Sequence, residues 1–328
     1  MVIVVTGASG MVGSQIVLAL IEAGMGPVRG LYRSAASLKS ARRSWEFQGF
    51  GARWSEVDWY LADLEDPLEV EVALEGADYA VHAAALVSLR TKDEHLMLRS
   101  TPLMAEHVVN AALHHGLKGL VHLSSVAVLQ GSEMPLDESA DPQRKGLNAY
   151  ARSKFDAEMQ VRRGEAEGLN VLILNPSVIL GLPFWADGSS RLLRSASKGL
   201  PAVPGGSTGW VDLRDVADAV VHGLRQPSWG ERFILSGSNQ SFEAFYGGIA
   251  DRLLKRRAPV LRARWPFELA WRLLAGVQVL GGPTAQLTRD SVRAATSKVG
   301  YRSDKAMAWG QSFRDFDQTL DWVNSAKN

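Results

Sequence analysis

Six short aliphatic runs punctuate the first half of the chain, at residues 2–5, 28–32, 57–61, 79–82, 120–123 and 171–174. Each is bounded by Gly, Asp, Asn or Ser, and helical patterns fill the intervals. The first interval holds Val12, Ile16, Val17 and Leu20, an i, i+4, i+5, i+8 stripe closed by Gly24. Strands that alternate with helices need crossover connections, which cover both faces of a parallel sheet. The expectation is an α/β protein with a doubly wound parallel sheet of six strands, ending near Asn175-Pro176. Beyond that point the rhythm breaks. Residues 181–209 are rich in Gly, Pro and Ser, and a helix returns over 211–224. The expected division is a sheet domain over 1–175, with helix 211–224 packing back on it, and a smaller cap over 176–328.

With 328 residues, 46% hydrophobic and 22% charged, the chain has the composition of a globular protein with an ample core. A net charge of +1 provides no bulk attraction for nucleic acid. The absence of cysteine removes disulfides, thiolate metal sites and thiol nucleophiles together. The first apolar run lacks the flanks of a signal peptide. The longest apolar candidate, residues 267–280, carries Glu268 and Arg272, so no transmembrane segment is expected and the chain reads as cytoplasmic. Residues 251–272 hold seven basic groups against Asp251 and Glu268. They read most simply as a solvated helix face, with a membrane-surface contact as the minority alternative.

Thr6-Gly7-Ala8-Ser9-Gly10-Met11-Val12-Gly13 lies directly between the first run and the first helical stripe. There Gly7 makes a tight turn, Gly10 lets the backbone approach a pyrophosphate, and Gly13 lets helix and strand pack closely. The helix start adds unpaired N–H groups and a dipole suited to an anion. Glycines punctuate turns everywhere; the strand-turn-helix context is what favours a nucleotide and a Rossmann-type sheet. The second run ends in Leu31-Tyr32-Arg33-Ser34, where NAD-binding sheets of this kind carry an acid for the ribose 2′-hydroxyl. A guanidinium there suits a 2′-phosphate, so NADP(H) is the expected cofactor, with NAD(H) as the alternative. Asp63-Leu64, after the third run, is placed to frame the adenine edge.

Ser125 follows the fifth run, Tyr150 lies 25 residues on, and Lys154 comes four residues later. Four residues on a helix place Tyr150 and Lys154 on one face. A free phenol titrates near ~10 and exchanges protons poorly at neutral pH, and a neighbouring ammonium is expected to lower that value. Ser125 is then placed to hold a substrate oxygen while Tyr150 gives or takes its proton.

Together these pieces resemble the extended short-chain dehydrogenase/reductases, also called the NAD-dependent epimerase/dehydratase family. The matching segments are T-G-A-S-G-M-V-G, A-D-L around Asp63, H-A-A-A at 82–85, and H-L-S-S ending in Ser125. Tyr150-x-x-x-Lys154, Asn175-Pro176-Ser177, W-V-D-L-R-D-V-A from Trp210 and V-G-Y-R-S-D-K-A at 299–306 continue the series. The likeness is greatest to the dihydroflavonol-reductase and 3β-hydroxysteroid-dehydrogenase branch. It implies that Thr6, Gly7, Ser9, Gly10, Met11, Val12 and Gly13 surround the pyrophosphate, and that Tyr32, Arg33 and Ser34 border the adenosine. Ala83, Ala84 and Ala85 would flank the inner ribose, Lys154 would bond the nicotinamide ribose, and Pro176 and Ser177 would touch the carboxamide. Ser125, Tyr150 and Lys154 would be the catalytic set, with Val87, Ser88, Ser125, Phe184, Trp185 and Trp210 around the substrate. A homodimer through helices near 95–115 and 150–166 is also implied.

The chain departs from the family pattern at several points. Thr101 stands where a helix asparagine is expected, Gly131 is one residue late, and Asn175 replaces an arginine. No arginine precedes Gly209-Trp210-Val211 to grip a substrate diphosphate, and Ser207-Thr208 cannot replace its charge. Residues 205–209 match G-x-S-x-G, yet Pro201 and Pro204 precede them where a nucleophile elbow needs a buried strand. The seven histidines form no H-E-x-x-H pair, so no metal is expected. The expected activity is NADPH-dependent reduction of a ketone or aldehyde, or oxidation of the matching secondary alcohol. The alternatives are a sugar-nucleotide epimerase or dehydratase that retains its NAD(P), and a non-catalytic NADP-sensing protein. The missing diphosphate arginine argues against the first, and the Ser-Tyr-Lys set against the second.

Overall fold

The computed structural model of the protein describes residues 1–326 apart from 89–90, 132, 141–142, 183, 186–189, 264 and 280–288. Arg264 of the basic stretch and Leu280, at the end of the longest apolar stretch, lie outside the described residues. The chain opens with β1 (Ile3–Thr6), α1 (Met11–Glu22), β2 (Val28–Tyr32), α2 (Ala35–Phe47), β3 (Val57–Leu61) and α3 (Pro67–Leu74). It continues with β4 (Tyr79–His82), α4 (Glu94–His114), β5 (Gly119–Leu123), α5 (Ala149–Ala166) and β6 (Val171–Pro176). Next come β7 (Val178–Leu180), α6 (Ser190–Lys198), β8 (Val203–Pro204), β9 (Ser207–Asp212), α7 (Leu213–Arg225) and β10 (Arg232–Leu235). The last elements are β11 (Ser238–Ser241), α8 (Phe242–Arg252), β12 (Val260–Leu261), α9 (Trp265–Val279), α10 (Arg289–Thr296), α11 (Asp304–Ala308) and α12 (Phe316–Ser325).

Seven parallel strands form one sheet in the order β10-β6-β5-β4-β1-β2-β3. The strand order reverses between β1 and β4, and the crevice above that switch point is where such sheets take ligands. Strands β1, β5 and β6 are buried along their whole length, as a sheet covered on both faces requires. Beside it Trp45 is fully buried, edge-on to Trp54 at 5.2 Å, and donates its indole N–H to Ser14 Oγ at 3.0 Å. Burying one such aromatic stabilises the fold by roughly 1.5–3 kcal/mol.

The sheet does not end at β6. Arg232–Leu235 returns from the second half and adds a seventh strand beside β6. Four residues, only three of them apolar, make too short a run to stand out after a Gly- and Pro-rich stretch. Helix α7 packs on α1, so this part of the second half belongs to the sheet layers. The cap is a small sheet, β11-β9-β7, packed with α8 and α12 around an aromatic core. Trp210 stacks on Phe245 at 4.6 Å, with Phe242 and Phe316 beside it. Much of the basic stretch is ion-paired: Arg252 with Asp317 and Asp321, Arg257 with Asp251, and Arg272 with Glu268. No helix among the described residues is long and apolar enough to cross a membrane.

Candidate active site

The glycine-rich segment leaves β1 at the switch point. Gly7 sits at φ +65°, a conformation that side chains disfavour, and a Cβ there would lie 2.8 Å from Ala84 Cα. A Cβ on Gly13 would lie 2.2 Å from Gly7 O, so the first turn of α1 rests directly on the loop. Gly10 is the N-cap of α1 and has no side chain to cap with, and the first turn carries no acid. The first-turn N–H groups thus face outward for an anion. The neighbouring strand end completes the cradle. Thr6 Oγ1 accepts from Ala84 N–H at 3.3 Å and shares a 2.8 Å hydrogen bond with His82 Nδ1, which ties the β1 and β4 loops together. Farther along, the Ser177 hydroxyl is buried without a protein partner, as a ligand-facing group would be. These features fit a dinucleotide.

Ser125, Tyr150 and Lys154 come together above the ends of β5 and β6. Asn148 caps α5 by accepting from Ala151 N–H at 2.9 Å, which fixes where Tyr150 enters the helix. Tyr150 is half-buried, and the Ser125 side chain is the neighbour that favours its ionised form. Lys154 is 5% exposed and donates to Leu123 O at 2.8 Å. Burial pulls its ammonium down to about 8. The expected lowering of the phenol by that ammonium is not what the geometry produces. Burial pushes Tyr150 above its usual range, and the Ser125 hydrogen bond is the influence that works downward. The ammonium is turned to a strand-end carbonyl, so the phenol keeps its proton at neutral pH.

A second layer lies beneath. Glu158, wholly buried on α5, accepts from Ser124 Oγ at 2.6 Å and from Asn175 Nδ2 at 3.4 Å, and pairs with Arg232. Asn175 Nδ2 also donates to Ser125 O at 2.9 Å. The sequence reading missed Glu158, although its place one turn after Lys154, on the face shared with Tyr150, was the available signal. His82 and His122 stack at 5.3 Å. Burial, reinforced by Lys154, takes His82 down to about 3; burial, with His82 and Lys154 adding to it, takes His122 well below the usual range. Both rings are therefore neutral.

Other expected positions fall less centrally. Tyr32 ends β2 half-buried, Arg33 and Ser34 are exposed, and Ser34 opens α2. Asp63 accepts from the N–H of Glu65, two residues on, while Leu64 turns into the core. Ser88 donates to Asp93 at 2.6 Å, and Val87 is exposed. Thr101, in the asparagine position, accepts from Leu86 N–H at 3.3 Å and holds the loop after β4. Trp185 donates to Ser9 O at 3.0 Å and so borders the glycine loop, and Phe184 lies 5.7 Å from Phe47 at the end of α2. Trp210 is 1% exposed and bonded to Gln240 O, inside the cap core instead of on a pocket wall. Ser207 begins β9 without an elbow. Among the described residues no three His, Asp or Glu side chains gather as a metal site.

A doubly wound sheet with a glycine cradle at its switch point is the frame of a nicotinamide-nucleotide oxidoreductase acting on CH–OH or C=O groups. Residues 3–235 match the NAD dependent epimerase/dehydratase family, and the chain belongs to it. Cinnamoyl-CoA reductase 1 of Arabidopsis thaliana is 29% identical over 247 residues, covering 71% of this chain and 70% of its own. The crystal structure of gox2253 superposes with a TM-score of 0.82 at 24% identity, covering 99% of this chain and 97% of that one. The Thermus thermophilus UDP-glucose 4-epimerase complex with NAD gives 0.76 at 19% identity over 99% and 98% of the two chains. At these identities the structural likeness speaks for the fold. No single branch of the family stands out among the relatives.

The NADP preference expected from Arg33 does not stand. Several similar folds hold NAD, among them WbmH of Bordetella bronchiseptica and the Bifidobacterium longum epimerase. The physical reason lies at the end of β2. Arg33 is a solvated side chain, and a solvated guanidinium does not exclude a ribose 2′-hydroxyl as an acid excludes a 2′-phosphate.

Proposed function

We propose that this protein uses NAD to interconvert a small ketone or aldehyde and the matching alcohol, with Tyr150 as the proton donor or acceptor. The observation that carries the reading is the Tyr150 phenol, beside Ser125 and one helical turn from buried Lys154. Gly7, Gly10, Gly13 and the first turn of α1 would hold the pyrophosphate, Lys154 a ribose hydroxyl, and Ser177 the carboxamide. The nicotinamide supplies or accepts the hydride. Ser125 orients the substrate oxygen. Tyr150, kept protonated by burial, passes its proton to that oxygen during reduction and recovers one from it during oxidation. Relatives named as cinnamoyl-CoA, dihydroflavonol and tetraketide α-pyrone reductases support a net redox reaction.

A second reading keeps the same proton chemistry but returns the hydride to its substrate, as in a sugar-nucleotide epimerase or dehydratase that retains NAD. The family's description and the UDP-glucose 4-epimerases among the similar folds favour it, and by fold they outweigh the reductases. The missing charge at Ser207-Thr208 favours the first. Purified protein given NADH with a panel of ketones and aldehydes, and separately NAD with UDP-sugars, separates the two. Stoichiometric NADH loss with a carbonyl compound supports the first, and a changed sugar in the presence of NAD with no net NADH formed supports the second. We also propose a homodimer through α4 and α5, which leave Leu96 and Met159 exposed at 48% and 38%. Light scattering that reports a monomer rejects it.

A further inference from the structure

We infer that Glu158 is a positioning residue that sets Ser125 for its bond to Tyr150, acting through the backbone of residues 123–125. Its activity test rests on the hydride-transfer reading above; its spectroscopic test does not.

A wholly buried carboxylate is costly to desolvate and persists where its oxygens are well bonded. Glu158 is bonded in a directed way. Its network holds three successive residues at the end of β5: Lys154 takes Leu123 O at 2.8 Å, Glu158 takes the Ser124 hydroxyl at 2.6 Å, and Asn175 takes Ser125 O at 2.9 Å. Asn175 Nδ2 also leans on Glu158, at 3.4 Å, and Arg232 from β10 supplies the opposing charge. Tyr150, Lys154 and Glu158 share one face of α5, so one helix carries the phenol and also anchors the strand end that its partner serine sits on. Otherwise Ser125 is held by the single turn of 3₁₀ helix that it opens, where its Oγ accepts Ala127 N–H at 3.2 Å and its carbonyl accepts Val128 N–H at 3.3 Å.

Glu158→Gln keeps the shape and replaces one acceptor oxygen by a donor. That donor then faces Asn175 Nδ2 or the Arg232 guanidinium, which can only donate, or takes the place of the oxygen that accepts from the Ser124 hydroxyl. Asn175 turns away, Ser125 O keeps only its longer 3.3 Å bond from Val128 N–H, and Ser125 shifts relative to Tyr150. An ion pair that merely stabilised the fold would lower the melting temperature and leave the phenol of folded molecules unchanged.

The experiment titrates tyrosinate absorbance in wild type, Glu158→Gln, Ser125→Ala and the double variant, each as a difference from its Tyr150→Phe counterpart. In Glu158→Gln the Tyr150 titration should move upward by about half to one pH unit, toward the Ser125→Ala value. The double variant should match Ser125→Ala. In turnover, Glu158→Gln should lower kcat roughly tenfold, with KM within about threefold and no further loss in the Ser125→Ala background. An unmoved phenol, or losses that add in the double variant, overturns the inference. If Glu158→Gln does not fold, Ser124→Ala removes one bond of the anchor, and a smaller upward shift is expected; no shift overturns it equally. Should wild type turn over no substrate, the reaction reading fails while the phenol titration still decides the role of Glu158.

Discussion

The sheet half and the cap are held together by different means. In the sheet half, parallel strands buried on both faces are packed by Ile3, Val5, Val81, Val121 and Leu172, and close contacts are backbone on backbone, as where Gly13 meets Gly7. In the cap, strands of two to six residues surround one aromatic stack built on Trp210 and Phe245, and arginine–carboxylate pairs tie the surface helices. The cradle and the Ser-Tyr-Lys set stand on the first kind of structure, whose positions are over-determined. On the function proposed above, the sheet half would fix the reaction while the cap would shape the substrate space.

The largest expected effect falls on chemistry alone. Tyr150→Phe should lower kcat by about three orders of magnitude, near 4 kcal/mol, with NAD affinity within about threefold. Comparable loss of NAD binding would mean that the phenol serves the cradle. Trp210→Ala should cost about 3 kcal/mol of cap stability by opening its aromatic stack. Calorimetry should show the cap weakened while NAD still binds the sheet half. Loss of NAD binding in the same variant would break the division between the two regions.

How far each region was legible follows the same division. The strands at 28–32, 57–61 and 79–82 lie where the aliphatic runs placed them, because strands of a covered parallel sheet are mostly apolar, and this holds even at the edge strand β3, where Asp58 and Leu61 are exposed. The glycine loop and the Tyr150–Lys154 spacing were readable because local backbone geometry demands those residues at those intervals. β10 and Glu158 were not. β10 joins the sheet from sixty residues away, and a buried carboxylate looks like any helical glutamate until its partners from β5, β6 and β10 are assembled around it. Trp210 misled for a related reason, since an aromatic in a loop-rich region packs a core as readily as it lines a pocket.

Two smaller effects sharpen the contrast from the sheet side. Gly13→Ala forces a methyl onto Gly7 O and should cost about 2 kcal/mol of strain, read as roughly thirtyfold weaker NAD binding. Unchanged affinity would show that the loop is less tightly specified than its contacts indicate. Acid should act through His82, whose folded value of about 3 lies below its ordinary 6.5. Between those values the unfolded chain takes up a proton that the native ring refuses. Stability is thus full above pH 6.5 and falls as the pH drops toward 3. From pH 7 to 5.5 this group alone should contribute a loss of about 1.4 kcal/mol. Urea titrations of His82→Asn should show an acid limb shallower by that amount, and an identical limb would place the sensitivity elsewhere.

The most direct test of hydride transfer at this site uses NADH deuterated at the reactive nicotinamide carbon. Product from the best carbonyl substrate, with keto-sugar nucleotides among those tried, is analysed by mass spectrometry for wild type and Tyr150→Phe. Deuterium on the substrate carbinol carbon with wild type, and its near absence with the variant, is the predicted result. Bound NADH that keeps its label against every substrate, or labelled product formed equally by Tyr150→Phe, would contradict it.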